Sequence, residues 1–206
     1  MVFFQGLAAS FRFRKRRAPY RNVGHIKLMK KLIYTLAGLA AIASLIVVAN
    51  YFSVSSALFD VIKSDSRNTG IYAVAHYQNY ISSSFLVFDL RDVSNTNSPS
   101  DVFRVFLQLA SRMKDKDFEQ VLLAHQGVMK FQLKGSYFKT LGEEFENQNP
   151  VYTIRTFPEN ISRLDGTQAF GTWTGGIIGV LGEQMNDFNK FHQEWYINDM
   201  ASAVTK

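Results

Sequence analysis

Residues 32–59 read LIYTLAGLAAIASLIVVANYFSVSSALF, 28 positions without one charged side chain. A bilayer core of about 30 Å takes roughly 20 apolar residues in a helix. Leu32, Leu36, Leu39, Ile42, Leu45 and Val48 recur through residues 32–52 with small Ala, Gly and Ser between them. Asn50, Tyr51 and Phe52 stand where such a span meets water, a position that favours tyrosine. A helix closes its own backbone hydrogen bonds, as lipid requires. The run is therefore expected to be a transmembrane helix with the lipid bilayer as its partner. It is longer than the apolar region of an export signal, about 7–15 residues, which favours a retained signal-anchor. Ser55-Ser56-Ala57 also fits a cleavage site, so removal near Ala57 stays open. Gly38, among Ala37, Ala40, Ala41, Ala43 and Ser44, keeps part of the span slim enough for a second helix to pack against it.

Outward on the amino-terminal side, residues 1–31 hold nine basic side chains and no acidic one. Arg16, Arg17, Lys30 and Lys31 make a positive-inside flank, which predicts a cytoplasmic amino terminus and an extracytoplasmic remainder. Met29-Lys30-Lys31 before the apolar run has the form of a bacterial export signal, so Met29 is an alternative start of translation. An Arg-rich, acid-free leader also suits an organelle transit peptide.

The formal charge of +6 belongs to that leader. Residues 60–206 carry 14 basic against 17 acidic side chains, which argues against a nucleic-acid-binding domain. The absence of cysteine excludes disulfides, thiolate catalysis and Cys-ligated metals. His76, His125 and His192 lack metal-ligand spacing, and no cofactor motif occurs.

On the carboxyl side, residues 53–69 read as a linker, with Ala57, Leu58, Phe59, Val61 and Ile62 able to extend the helix. Residues 70–206 read as one extracytoplasmic domain. Strands are predicted at residues 71–77, at the uninterrupted apolar run 85–90, at 120–125, at the alternating 128–134 and at 151–157. Ser98-Pro99-Ser100-Asp101 carries a capping-box pattern and opens a helix that buries Val102, Phe106, Leu109 and Met113. A second helix starts at Ser136 and stops before Asn149-Pro150. A third puts Ile178, Leu181, Met185, Phe188, His192 and Trp195 on one face. The expected fold class is α/β: one transmembrane helix, then a layered α/β sandwich with a mixed sheet in the order β-β-α-β-β-α-β-α.

Ligands of open α/β sheets sit beyond the carboxyl ends of strands. Those ends offer Asp89, Arg91 and Asp92, then His125 and Gln126, then Arg155 and Glu159, with Ser98 or Ser100 near the first. Asp92, His125 and Arg155 are the catalytic candidates, with His125 as base. No nucleophile-elbow spacing accompanies them. Gly171, Gly175, Gly176, Gly179 and Gly182 are read as close packing of a helix against the sheet or a neighbouring chain, in preference to an anion cradle.

Residues 148–160 (QNPVYTIRTFPEN) and 172–176 (TWTGG) resemble segments of small uncharacterised bacterial membrane-anchored proteins, over the carboxyl-terminal third of the chain. The resemblance brings no activity and no catalytic residues with it. Two functional expectations follow. The first is a single-pass protein of the inner membrane whose periplasmic domain, through its aromatic-rich last helix, binds another envelope protein or a second copy. The second is a membrane-tethered hydrolase or other small-molecule enzyme.

Overall fold

The uncharged run is helical throughout. A computed structural model describes residues 23–204; Arg16 and Arg17 lie outside the described residues. Helix α1 spans Val23–Asn50, a π-helical turn follows at Tyr51–Ser55, and α2 continues over Ser56–Ser64. By length and composition the run Lys27–Ser64 is able to cross a membrane. None of its most apolar window is buried, and Leu32, Leu36, Leu39, Ile42, Leu45 and Val48 all stand exposed. The chain divides into two compact units between Ile42 and Ala43, and the sheet with its helices lies in the second.

Residues 53–69, a linker by composition, are helical for most of their length and belong to the domain. Val54, Leu58 and Val61 recur at helical spacing and are buried in the main core. Asn68 is fully buried and donates to the Val61 carbonyl at 3.0 Å and to Gln108 Oε1 at 2.7 Å. Gln108 in turn donates to Asp65 Oδ2 at 2.9 Å. The buried Asn68 side chain thereby ties the segment after α1 to Gln108.

Four strands form one mixed sheet in the order β1-β2-β3-β4: Ile71–Gln78, Ser82–Val93, Gln120–His125 and Val128–Lys134. The outer pairs are antiparallel and the β2–β3 pair is parallel. A parallel pair needs a long crossover, which helix α3 (Pro99–Arg112) supplies. The predicted start of α3 is present. Ser98 Oγ accepts the Asp101 N–H at 3.3 Å, Asp101 Oδ2 accepts the Ser98 N–H at 2.8 Å, and Pro99 opens the helix.

Strand alternation sends Ala75, Leu86, Phe88, Leu90, Val121, Leu123, Phe131 and Leu133 into one core with the helices. Val87, Leu122 and Ala124 form a separate small cluster with Met129 on the opposite face. The fold is thus a sheet with its helices packed on one side. The core is aromatic: Phe103 meets Phe157 at 4.7 Å and Phe188 at 5.3 Å between ring centres, edge to face. Such pairs add about 0.5–1.5 kcal/mol beyond their buried area.

The order β-β-α-β-β-α runs through helix α4 (Gly135–Glu144), and there the expectation fails. The predicted strand at residues 151–157 is helix α5, Pro150–Thr156. Its Val, Tyr, Thr and Ile favour strand, but the two residues before them favour helix. Asn149 Oδ1 accepts the Val151 N–H at 2.9 Å as a cap, and Pro150 takes the first helical turn. The β4 edge that a fifth strand would need bonds Ser162 instead, through Gln132 N–H to the Ser162 carbonyl at 2.9 Å. Helix α6 (Ile177–His192), a π turn at Gln193–Ile197 and helix α7 (Asn198–Val204) complete the described chain.

Candidate functional site

The carboxyl ends of β2 and β3 do meet. Gln126 N–H donates to the Leu90 carbonyl at 2.9 Å, and Gly127 N–H donates to Asp89 Oδ1 at 3.1 Å. Asp89 is buried and pairs with Arg91 at 2.6 Å. The three catalytic candidates, however, are not brought together. His125 sits opposite Leu90 on the helix-covered face. The β1–β2 register shifts between Tyr72 and Ala73, so Tyr72 pairs with Asp92 while Ala73 pairs with Leu90. That bulge leaves Arg91 over and puts Asp92 beside exposed Tyr72 on the other face. Asp92 Oδ1 accepts its neighbour's N–H, from Val93 at 2.9 Å. Arg155 is on α5, where its Nε donates to Gln184 Oε1 at 2.9 Å, and Gln184 Nε2 donates to Glu159 Oε1 at 2.8 Å. Ser98 is taken by its cap. A relay through Asp92, His125 and Arg155 has no geometry here.

The partners that His125 does have lie far away in sequence. Its Nδ1–H donates to Asp199 Oδ2 at 3.0 Å, and Lys130 Nζ reaches the same oxygen at 2.7 Å. The Lys130 ammonium, and then the His125 ring, hold the Asp199 carboxyl below the usual carboxylate range. In a nucleophile–histidine–aspartate relay the second ring nitrogen faces a hydroxyl. Here His125 Nε2 is buried with no hydrogen-bond partner, and the Nδ1 bond joins α7 to the end of β3. Lys130 and Asp199 were not legible as its partners: 74 positions separate His125 from Asp199, and no local pattern links them.

The aromatic stripe of the last helix is core. Phe188, Phe191, Trp195 and Tyr196 are all buried in the domain, and Trp195 Nε1–H donates to the Ala124 carbonyl at 3.0 Å. His192 lies among them, fully buried, with both ring nitrogens unpartnered. Burial pulls its imidazole down to about 3. The start of the stripe is different: Leu181 is exposed, and the Ile178 side chain lies outside the described residues. The glycines do not pack closely on the sheet. Side chains placed at Gly176, Gly179 or Gly182 would meet open space.

What the helices enclose instead is a cavity of about 340 Å³ between α3, α4 and α5. Phe103, Leu107, Leu141, Phe145 and Ile154 line it, together with the charged Arg67, Arg104 and Glu144. Arg104 is already committed to Asn68, Asp101 and the Arg67 carbonyl. The cleft is therefore an apolar recess without a free charge from Arg104, of a size that takes a ligand or a partner's side chains. Among the described residues no three His, Asp or Glu side chains gather as a metal ion needs. Comparison with family models, with curated proteins and with solved structures finds no match.

Proposed function

We propose that this chain is a single-pass protein of the bacterial inner membrane. Its amino terminus is cytoplasmic, its α/β domain periplasmic, and the domain binds another envelope protein rather than catalysing a reaction. The observation that carries the reading is the uncharged run over residues 32–59, whose most apolar window is left uncovered by the rest of the chain. Apolar surface on that scale is stable in lipid and unfavourable in water. The basic flank that includes Lys30 and Lys31 supports the orientation. The largely apolar cleft between α3, α4 and α5 supports binding, since it offers contact area to a partner's side chains.

A carboxyl-terminal alkaline phosphatase fusion tests the topology. Activity of the fusion agrees with a periplasmic domain, and an inactive enzyme alongside a fluorescent cytoplasmic-reporter fusion rejects it. A photo-crosslinking residue at Phe145, beside the cleft, tests the binding. In intact membranes it should yield an adduct heavier than the 23.4 kDa chain. An adduct of twice that mass identifies self-association; no adduct, with the purified domain inert, rejects the reading.

A further inference from the structure

The apolar run that begins at Leu32 has a second, less conspicuous counterpart. Between Arg67 and Asp89 no Asp, Glu, Lys or Arg occurs. The structure folds this stretch into the β1–β2 hairpin and fastens its tip to the end of α1. Asn50, the last residue of α1, is only 4% exposed. Its Oδ1 accepts the Tyr77 N–H at 2.9 Å, while its Nδ2 donates to the Tyr80 carbonyl and to the Ile46 carbonyl.

The turn itself is Gln78-Asn79-Tyr80-Ile81, closed by Ile81 N–H to the Gln78 carbonyl at 3.2 Å. Asn79 and Tyr80 have φ of 52° and 62°. Both central residues left-handed is the type I′ arrangement, which usually recruits asparagine and glycine. A tyrosine in that region is uncommon. Here it holds the tip in a shape that displays apolar side chains. Ile81 is 73% exposed and Tyr80 46%. Tyr51 and Phe52, the two residues after Asn50, are exposed as well.

We propose that the hairpin tip, Tyr80 with Ile81, is a second contact with the bilayer, seated in the head-group interface where α1 leaves the hydrocarbon. The inference rests on the single-pass reading. Residues 32–51 at about 1.5 Å per residue fill a core of about 30 Å, which sets Asn50 at its boundary. A carbonyl bonded to Asn50 lies at the same depth, so Tyr80 does too. Tyrosine suits that layer because its ring is apolar and its hydroxyl is wet. The stretch brings no charged side chain that would have to lose its water. Two attachment points then restrict the tilt of the domain on the membrane surface, which a single helix would leave free.

The chain contains no cysteine, so single labels are straightforward. The full chain is reconstituted in phosphatidylcholine–phosphatidylglycerol vesicles as Ile81→Cys, Leu39→Cys or Val128→Cys, each carrying an environment-sensitive fluorophore. Val128 is exposed and lies at the opposite end of the sheet, since its partner His125 pairs on its other side with Leu90 of β2, far from the tip. Quenching is read with nitroxide lipids labelled near the head group or deep in the chain. The expected result is a blue-shifted Ile81 label, quenched several-fold more by head-group nitroxide than the Val128 label, with Leu39 quenched by the deep probe. Ser83→Cys, exposed at the same tip, repeats the measurement should the Ile81 variant misfold. Leu39 quenched with Ile81 indistinguishable from Val128 overturns the inference and leaves the anchor standing. An Ile81 blue shift without lipid quenching, which is lost on adding unlabelled chain, assigns the tip to a second copy and also overturns it. Leu39 unquenched overturns the single-pass reading, and the inference with it.

Discussion

Asn50 Oδ1 accepts the Tyr77 N–H at 2.9 Å, and this one bond joins the last turn of the apolar helix to the first strand of the sheet. Asn50→Ala removes the acceptor and leaves a half-buried backbone donor unpaired, at a cost of about 1–3 kcal/mol. Amide exchange at Tyr77 should rise by about tenfold or more, with β3 unaffected, because local opening tracks local bonding. Unchanged exchange at Tyr77 would show that the bond contributes nothing to holding the hairpin.

The His192 imidazole is buried among Phe188, Phe191, Trp195 and Tyr196, with its pKa drawn down from 6.5 to about 3. The folded state holds this ring neutral while the unfolded chain protonates it near 6.5. Stability from this group is therefore complete above pH 6.5 and is lost progressively as pH falls from there towards 3. At pH 5 the loss is about 2 kcal/mol. Urea unfolding of the wild type and of His192→Phe at pH 7.5 and pH 5 checks this. The variant should lose less stability on acidification; parallel losses in the two proteins would reject the assignment.

Gly142 on α4 packs directly on the backbone of α3. A methyl group there would collide with the Ala110 carbonyl, which has no rotamer to escape into. Gly142→Ala should destabilise the fold by about 1–3 kcal/mol despite the better helix propensity of alanine. Gly179→Ala, where the added methyl meets open space, should be neutral or slightly stabilising. Denaturant midpoints of the two variants make the comparison, and equal midpoints would contradict the close approach.

Helix α5 depends on its amino-terminal pair. Asn149→Ala removes the cap on the Val151 N–H and should cost about 0.5–2 kcal/mol. The loss should appear locally, as faster amide exchange over residues 151–156 and a more open cleft beside Ile154. Exchange that stays slow there would mean that packing against α6 alone holds the segment.

Much of the architecture is legible along the chain because its signals are local. The uncharged run, the capping box at Ser98 and Asp101, the alternation at Phe131 and Leu133, and the apolar β2 run each act within a turn or a strand. The helix, α3, β4 and β2 lie where those patterns put them. The sequence likewise determined which face of α3 is buried, since Val102, Phe106, Leu109 and Met113 recur at helical spacing. Tertiary structure decided the rest. Residues 151–157 have the side chains of a strand, yet strand formation requires a free edge, and Ser162 occupies part of β4's. Aromatic side chains at helical spacing read the same whether they face a partner or their own core, and the sheet claims Phe188, Phe191 and Trp195. One bulged residue in β2 reverses the face on which Asp92 stands, and it thereby separates Asp92 from His125. Nor does any spacing announce that Asn50 at the end of the apolar run will be buried under a hairpin whose tip lies 30 positions further on. Local chemistry sets the elements; contacts between distant segments, which compete for the same edges and faces, set what those elements meet.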